Sequence, residues 1–256
     1  MKLAITGKGG VGKTTVSTLL AKALQSSGRS VVAIDCDPDS NLAACMGYPH
    51  PEQIRPLVEL KDLIEEKMGV KPGVTGGMFR LNPFVDDIPE RYAVDILGIR
   101  LLVAGAVKRG GSGCYCPENS LVRALVSHLL LDAQTALVLD MEAGIEHLGR
   151  GTLQSVDRLL IVTEPGRRSV ETAQRIQSMA ADIGLKKISV IGNKIRTPRD
   201  ESFLRDLLPG FDFAGFLPDI AAVREAEAAG RPVWGASGEM EKKVGEILAF
   251  LEKSRA

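Results

Sequence analysis

The residues best placed to do chemistry fall in four short stretches of this 256-residue chain. GKGGVGKTT, at 7–15, follows an apolar run and opens a helical pattern, the setting a phosphate-binding loop requires. Its glycines let the backbone come close to a ligand, so the amides of Gly9, Gly10, Val11, Gly12, Lys13, Thr14 and Thr15 can surround a chain of phosphates. A helix N-terminus adds partial positive charge at the same spot. Lys13 would bridge the β and γ phosphates, and the Thr14 hydroxyl would hold magnesium. Two acid-bearing stretches close later apolar runs: DCDPDSN at 35–41 and VLDMEAG at 138–144. In the second, Asp140 would support the magnesium shell and the Gly144 amide would sense the outermost phosphate. The fourth is SGCYC at 112–116, where Cys114 and Cys116 are separated by one residue and make up half of the four cysteines. Two thiolates leave a soft divalent ion undercoordinated, whereas two copies of the pair on a dimer axis supply four sulfurs, suited to tetrahedral zinc or square-planar nickel. Two unligated loop thiols are the plain alternative; a disulfide across C-x-C would be strained.

Such residues converge only if a scaffold carries them. KLAIT (2–6), SVVAID (30–35), LLVAG (101–105), ALVLD (136–140), RLLIVT (158–163), KISVIGN (187–193) and FAGFLP (213–218) read as strands, with helical periodicity near 14–27, 118–131 and 168–183. Apolar strands alternating with amphipathic helices predict an α/β fold, a mainly parallel central sheet flanked by helices on both faces. Ligand loops gather at the carboxyl ends of such strands. One domain is expected over 1–256, with 69–90, rich in Pro and Gly, as loop and short strand inserted at a sheet edge. In MEKKVGEILAFLEK (240–253), Met240, Val244, Ile247, Leu248 and Leu251 share one helical face. The polar face mixes glutamate with lysine, so packing on the sheet is expected rather than a membrane. Cys36 and Cys45 read as small buried side chains.

The 32 basic and 32 acidic residues cancel, which predicts no general attraction to nucleic acid or an anionic membrane. The chain opens directly on a strand and a glycine loop, without the regions of a signal peptide, and no uncharged apolar run reaches the roughly 18–20 residues that span a bilayer. A cytoplasmic protein with reduced or metal-bound thiols is the expectation.

Lys8, a second lysine directly after the first loop glycine, makes the loop resemble the deviant Walker A motif of the P-loop family containing nitrogenase iron protein, MinD, ParA and the arsenite-pump ATPase. The resemblance implies an ATPase that sandwiches ATP in a homodimer, with Lys8 reaching the partner's phosphates to meet charge that develops on phosphoryl oxygens. It implies that Asp37 orients the attacking water or accepts its proton. It also implies that GNK (192–194) offers Asn193 to adenine, an amide matching N7 and the exocyclic amine, and that LPD (217–219) sets Pro218 and Asp219 beside the base. Asp39 reads as a turn residue, while Glu142 and His147 lie on the switch without an assigned role.

GGSGCYCPENSLVRALVSHLLLD (110–132) and DMEAGIEHLGRGT (140–152) resemble the CooC-type ATPases of carbon monoxide dehydrogenase maturation. This implies Ni2+ or Zn2+ bridged between subunits by paired Cys114 and Cys116, and carbon monoxide dehydrogenase as client. The related accessory ATPase of acetyl-CoA synthase shares the C-x-C. Iron–sulfur members carry one cysteine before switch II and one just after it; MEAGIEHLGRG (141–151) has none. An iron–sulfur reductase component and a MinD-like or ParA-like positioning ATPase are the alternatives.

Overall fold

A computed structural model describes residues 1–71, 78–105, 117–144 and 155–254. Eight strands form one sheet: β1 (Lys2–Gly7), β2 (Ser30–Cys36), β3 (Val94–Ile96), β4 (Ile99–Val103), β5 (Thr135–Met141), β6 (Arg158–Thr163), β7 (Ile188–Ile195) and β8 (Phe213–Pro218). Their spatial order is β3-β4-β2-β5-β1-β6-β7-β8. All neighbours are parallel except β3 and β4. Strands β1, β5 and β6 are buried along their whole length. That is why they read as continuous apolar runs rather than alternating ones. From β1 the chain passes to β2 on one side of the sheet, and after β5 it continues to β6 on the other. The carboxyl ends flanking β1 therefore frame a crevice.

Helices α1 (Lys13–Ser26), α2 (Leu42–Cys45), α3 (Lys61–Met68), α4 (Ile88–Tyr92), α5 (Pro117–Leu131), α6 (Arg167–Asp182), α7 (Pro198–Leu207), α8 (Ala221–Ala228) and α9 (Gly238–Lys253) complete the described elements, with single turns of 3-10 helix at Pro51–Gln53 and Leu57–Glu59. Two apolar cores lie on the two faces of the sheet. Leu63, Leu121, Leu125, Ile176 and Leu204 bring α3, α5, α6 and α7 into one; Leu20, Leu24, Leu42, Val223 and Ile247 bring α1, α2, α8 and α9 into the other. The anticipated α/β architecture is present. In α9, Met240, Val244, Ile247, Leu248 and Leu251 are all buried in that second core. Burial of such side chains stabilises by about 1.5–3 kcal/mol each. None of the described helices is long and apolar enough to cross a membrane.

The edge strand differs from expectation. It lies at Val94–Ile96, after the 69–90 segment, whose described part is loop and the start of α4. A tight turn joins β3 to β4, with Leu97 at φ 52 and Gly98 at φ 81. Two successive positive φ values are what the right-handed twist of a hairpin selects, and a leucine in the first of them concealed the turn. Helices α7 and α8 were also not anticipated. For α7 the signal exists: Thr197 and Asp200 form a capping box, with Pro198 at the first helical position. Cys114, Cys116 and His147 lie outside the described residues.

Candidate functional site

Helix α1 begins without a side-chain cap: its N-cap is Gly12, at φ 91, and no acid occupies its first turn. By contrast, α7 has its capping box and Ser237 accepts from the Met240 amide at the start of α9. The first amides of α1 are thus left to a ligand, and the helix dipole favours an anion. Gly12 cannot be replaced without displacement. A Cβ there would meet Asn193 Nδ2 at 2.4 Å, and the left-handed φ strains any other residue.

The loop opens into a cleft of about 640 Å³. Gly9, Gly10, Gly12, Lys13, Thr14 and Thr15 of the loop line it together with Asp37, Asp39, Asn193, Pro218, Asp219 and Arg224. Most of the expected site residues therefore converge on one cavity from four strand ends. Lys8, half-exposed, Gly144 and the buried Asp140 are not among the lining residues, and Val11 is packed into the core.

Lys13 is buried, with its Nζ 3.5 Å from Asp37 Oδ2. Asp37 Oδ1 accepts the Asp39 amide at 3.1 Å, and the Asp37 carbonyl accepts the Ser40 amide at 3.0 Å. A turn built on Asx chemistry and a carboxylate facing the phosphate lysine are therefore properties of the same residue. Asp39, read as a turn residue only, also lines the cleft.

Asp140 is fully buried. Its Oδ1 accepts from Ser17 Oγ at 2.9 Å, while Oδ2 has no hydrogen-bond partner among the described residues. Burial pushes its carboxyl up to about 6, against the opposing pull of the Thr14 and Ser17 hydroxyls and of Lys13. A buried carboxylate oxygen without a donor is costly unless a cation meets it. The oxygen donors of Thr14 and Asp140 suit magnesium, a hard ion.

Three neighbours of these residues were not anticipated. Asp35 pairs in register with Asp140 on the adjacent strand and is equally buried. Its carboxylate accepts the Asp37 amide at 3.1 Å and the Leu42 amide at 2.8 Å, so it shapes the whole 36–42 loop. Burial raises its carboxyl to about 7, the two amides working against that rise and Asp140 adding to it. Ser17 lies one turn after Thr14 on α1, a spacing that places both on the face toward Asp140. Thr6, at the end of β1, has its Oγ1 2.9 Å from the Glu142 carbonyl and 3.0 Å from the Gly144 carbonyl, which share its one proton, and accepts from the Gly144 amide at 3.3 Å. It ties the 142–144 loop to the strand that carries the phosphate loop.

Asn193 is buried and donates from Nδ2 to the Val11 carbonyl at 2.8 Å. Asp219 lines the cleft with its carboxylate already engaged, by Arg196 Nε at 2.8 Å and by Arg224. Its amide donates to the Ile195 carbonyl at 2.9 Å. Burial drives the thiols of Cys36 and Cys45 upward, Cys45 to about 12, so both are neutral. Cys45 is buried as expected and Cys36 is half-buried. Among the described residues no cluster of three or more His, Cys, Asp or Glu is arranged to hold a metal ion.

Comparison with known proteins places this geometry among relatives. The family model for the CobQ/CobB/MinD/ParA nucleotide binding domain matches residues 2–233. The chain is 46% identical over 253 residues to the carbon monoxide dehydrogenase accessory protein CooC of Rhodospirillum rubrum, covering 98% of this chain and 96% of that protein. It is 25% identical to the light-independent protochlorophyllide reductase iron-sulfur ATP-binding protein of Jannaschia sp., over 87% of this chain and 68% of that one. In fold it is similar to a chain of the MinC:MinD cell division protein complex of Aquifex aeolicus, with a TM-score of 0.71, 20% identity, and coverage of 99% and 96% of the two chains.

Proposed function

Because the chain belongs to the CobQ/CobB/MinD/ParA family of nucleotide-binding domains, we propose that it is a cytoplasmic, single-domain ATPase that assists nickel insertion into carbon monoxide dehydrogenase. The observation that carries the ATPase reading is the cleft itself, lined by the uncapped α1 N-terminus, Lys13 and Asp37, together with the orphaned oxygen of the buried Asp140, hydrogen-bonded to Ser17 of the same helix. The nickel client is supported by the likeness to the Rhodospirillum rubrum accessory protein.

In this reading the loop amides and Lys13 receive the β and γ phosphates of ATP. Thr14 and Asp140 would hold magnesium, which when bound neutralises charge on the phosphoryl oxygens. Binding ATP draws Lys13 away from Asp37 toward phosphate, freeing the Asp37 carboxylate to orient a water or take its proton. Gly144 answers the terminal phosphate through its amide, and Lys8 reaches the phosphates held by the partner of a homodimer. Asn193, Pro218 and Asp219 form the base end, Asp219 through its backbone because its carboxylate is engaged by arginines.

Cys114 and Cys116 from each of two subunits complete a four-sulfur site for Ni2+ or Zn2+, the cargo. One interface then bears both nucleotide and metal, so the occupancy of one site biases the other. Metal content per dimer, measured with and without nucleotide, tests this. A Cys114→Ser, Cys116→Ser double variant with unchanged metal stoichiometry would end the bridging-thiolate proposal.

An iron–sulfur electron donor is the second reading, favoured by the likeness to the protochlorophyllide reductase component. Iron with inorganic sulfide and a brown chromophore after anaerobic purification would establish it in place of the nickel reading.

A further inference from the structure

Lys194 follows Asn193 at the end of β7 and is one of three described non-glycine residues with positive φ, at 57°. A lysine has no local hydrogen bond with which to stabilise the left-handed region, so the surrounding structure must hold it there. What it gains is reach. Its Nζ donates to the Gly10 carbonyl at 2.5 Å and pairs with Glu164 Oε2 at 3.0 Å. Its neighbour Asn193 donates to the next carbonyl of the same loop, that of Val11. Two consecutive side chains of β7 thus grip two consecutive carbonyls of the phosphate loop.

In a trans peptide the carbonyl and the following N–H point in opposite directions. With the Gly10 carbonyl drawn to Lys194, the Val11 amide faces the other way, where it meets the Lys8 carbonyl at 3.4 Å and closes the loop tip. With the Val11 carbonyl drawn to Asn193, the Gly12 amide is turned off in the opposite direction. Gly10, at φ 81, has no Cβ to resist a peptide flip, and nothing lies within 4 Å of where one would be. A flip would aim a carbonyl dipole where the loop needs donors for an anion.

We propose that Lys194 is a positioning residue for the phosphate loop, its ammonium fixing the Gly10 peptide plane while Glu164 holds the ammonium in place. The inference rests on the nucleotide-binding reading of the cleft. It extends that reading by making the β7 end a determinant of phosphate affinity as well as of the base end.

The test measures ATP affinity and nucleotide-free melting temperature for the wild type and for Lys194→Met, Lys194→Arg and Lys194→Gly. Lys194→Met is expected to raise the Kd for ATP about tenfold, the scale of one hydrogen bond from a charged donor, with Lys194→Arg recovering most of the loss. Lys194→Gly removes the ammonium and the left-handed strain together, so it should match Lys194→Met in affinity while melting no lower than the wild type. Variants within about twofold of a wild type that binds ATP would overturn the positioning role and leave the cleft reading intact. Affinity and melting temperature falling together in Lys194→Gly would also overturn it, since that is the mark of a merely structural residue. A wild type that binds no ATP overturns the nucleotide reading, and this inference with it.

Discussion

Lys13 and Lys8 are separated by five positions but differ in what surrounds them. Lys13 is buried against Asp37, so its charge is already directed into the cleft. Lys13→Ala removes that charge and leaves the Asp37 carboxylate unbalanced, and nucleotide titration should detect no tight ATP binding. Lys8 is half-exposed and does not line the cleft. Lys8→Ala should therefore retain ATP binding by the monomer while losing both hydrolysis and the ATP-stabilised dimer, as read by phosphate release and light scattering. Ser17 acts one step back from the ligand. Its hydroxyl donates to Asp140 at 2.9 Å, so Ser17→Ala takes a donor away from a fully buried carboxylate. Denaturant unfolding without nucleotide should register a loss of roughly 1–3 kcal/mol.

At the scale of elements, the β-strand ends do the positioning. Thr6 on β1 holds the 142–144 loop by its side chain, and a Thr6→Val variant keeps the shape while deleting those bonds. Its kcat should fall more than its ATP affinity, since the phosphate loop is untouched; an unchanged kcat would show the tie to be dispensable. Elsewhere, α3 and α4 are held by charge. Hydrogen bonds from Arg91, then Lys67, lower the Glu66 carboxyl to about 2, and Lys67, then Arg91, lower that of Asp87 to about 2. Both folded values lie below the ordinary values of 4.5 and 3.8, so the added stability is present above those values and is lost as pH falls toward 2. Protection factors over α3 and α4, with exchange referred to the intrinsic rate at each pH, should fall in that window, and by less at high salt, because screening already weakens the exposed cluster. Arg91→Ala should move the onset of exchange to higher pH.

For the molecule as a whole, the proposed coupling of two sites through one dimer interface makes a reciprocal prediction. If ATP tightens metal binding by some factor, metal must tighten ATP binding by the same factor. Paired titrations, metal with and without nucleotide and nucleotide with and without metal, should return equal ratios. A ratio of one in both titrations would mean that the two sites are not coupled.

How much of this was legible beforehand depended on how far apart the participants lie in the chain. The phosphate loop, the strand runs and the apolar face of α9 could be read directly, because amide density, burial on both faces and helical period are written in neighbouring residues. Local capping could also have revealed α7, from Thr197, Pro198 and Asp200. Nothing local marks Asp35 as the partner of Asp140, Thr6 as the tie of Gly144, or Lys194 as the hand on Gly10. The Asn193 and Lys194 grips on the loop span 182 and 184 residues, and they exist because β1 lies between β5 and β6 with β7 next in order. Residue types and spacing determined which chemistry was on offer; strand order, set by the burial of both sheet faces, decided which side chains meet to perform it.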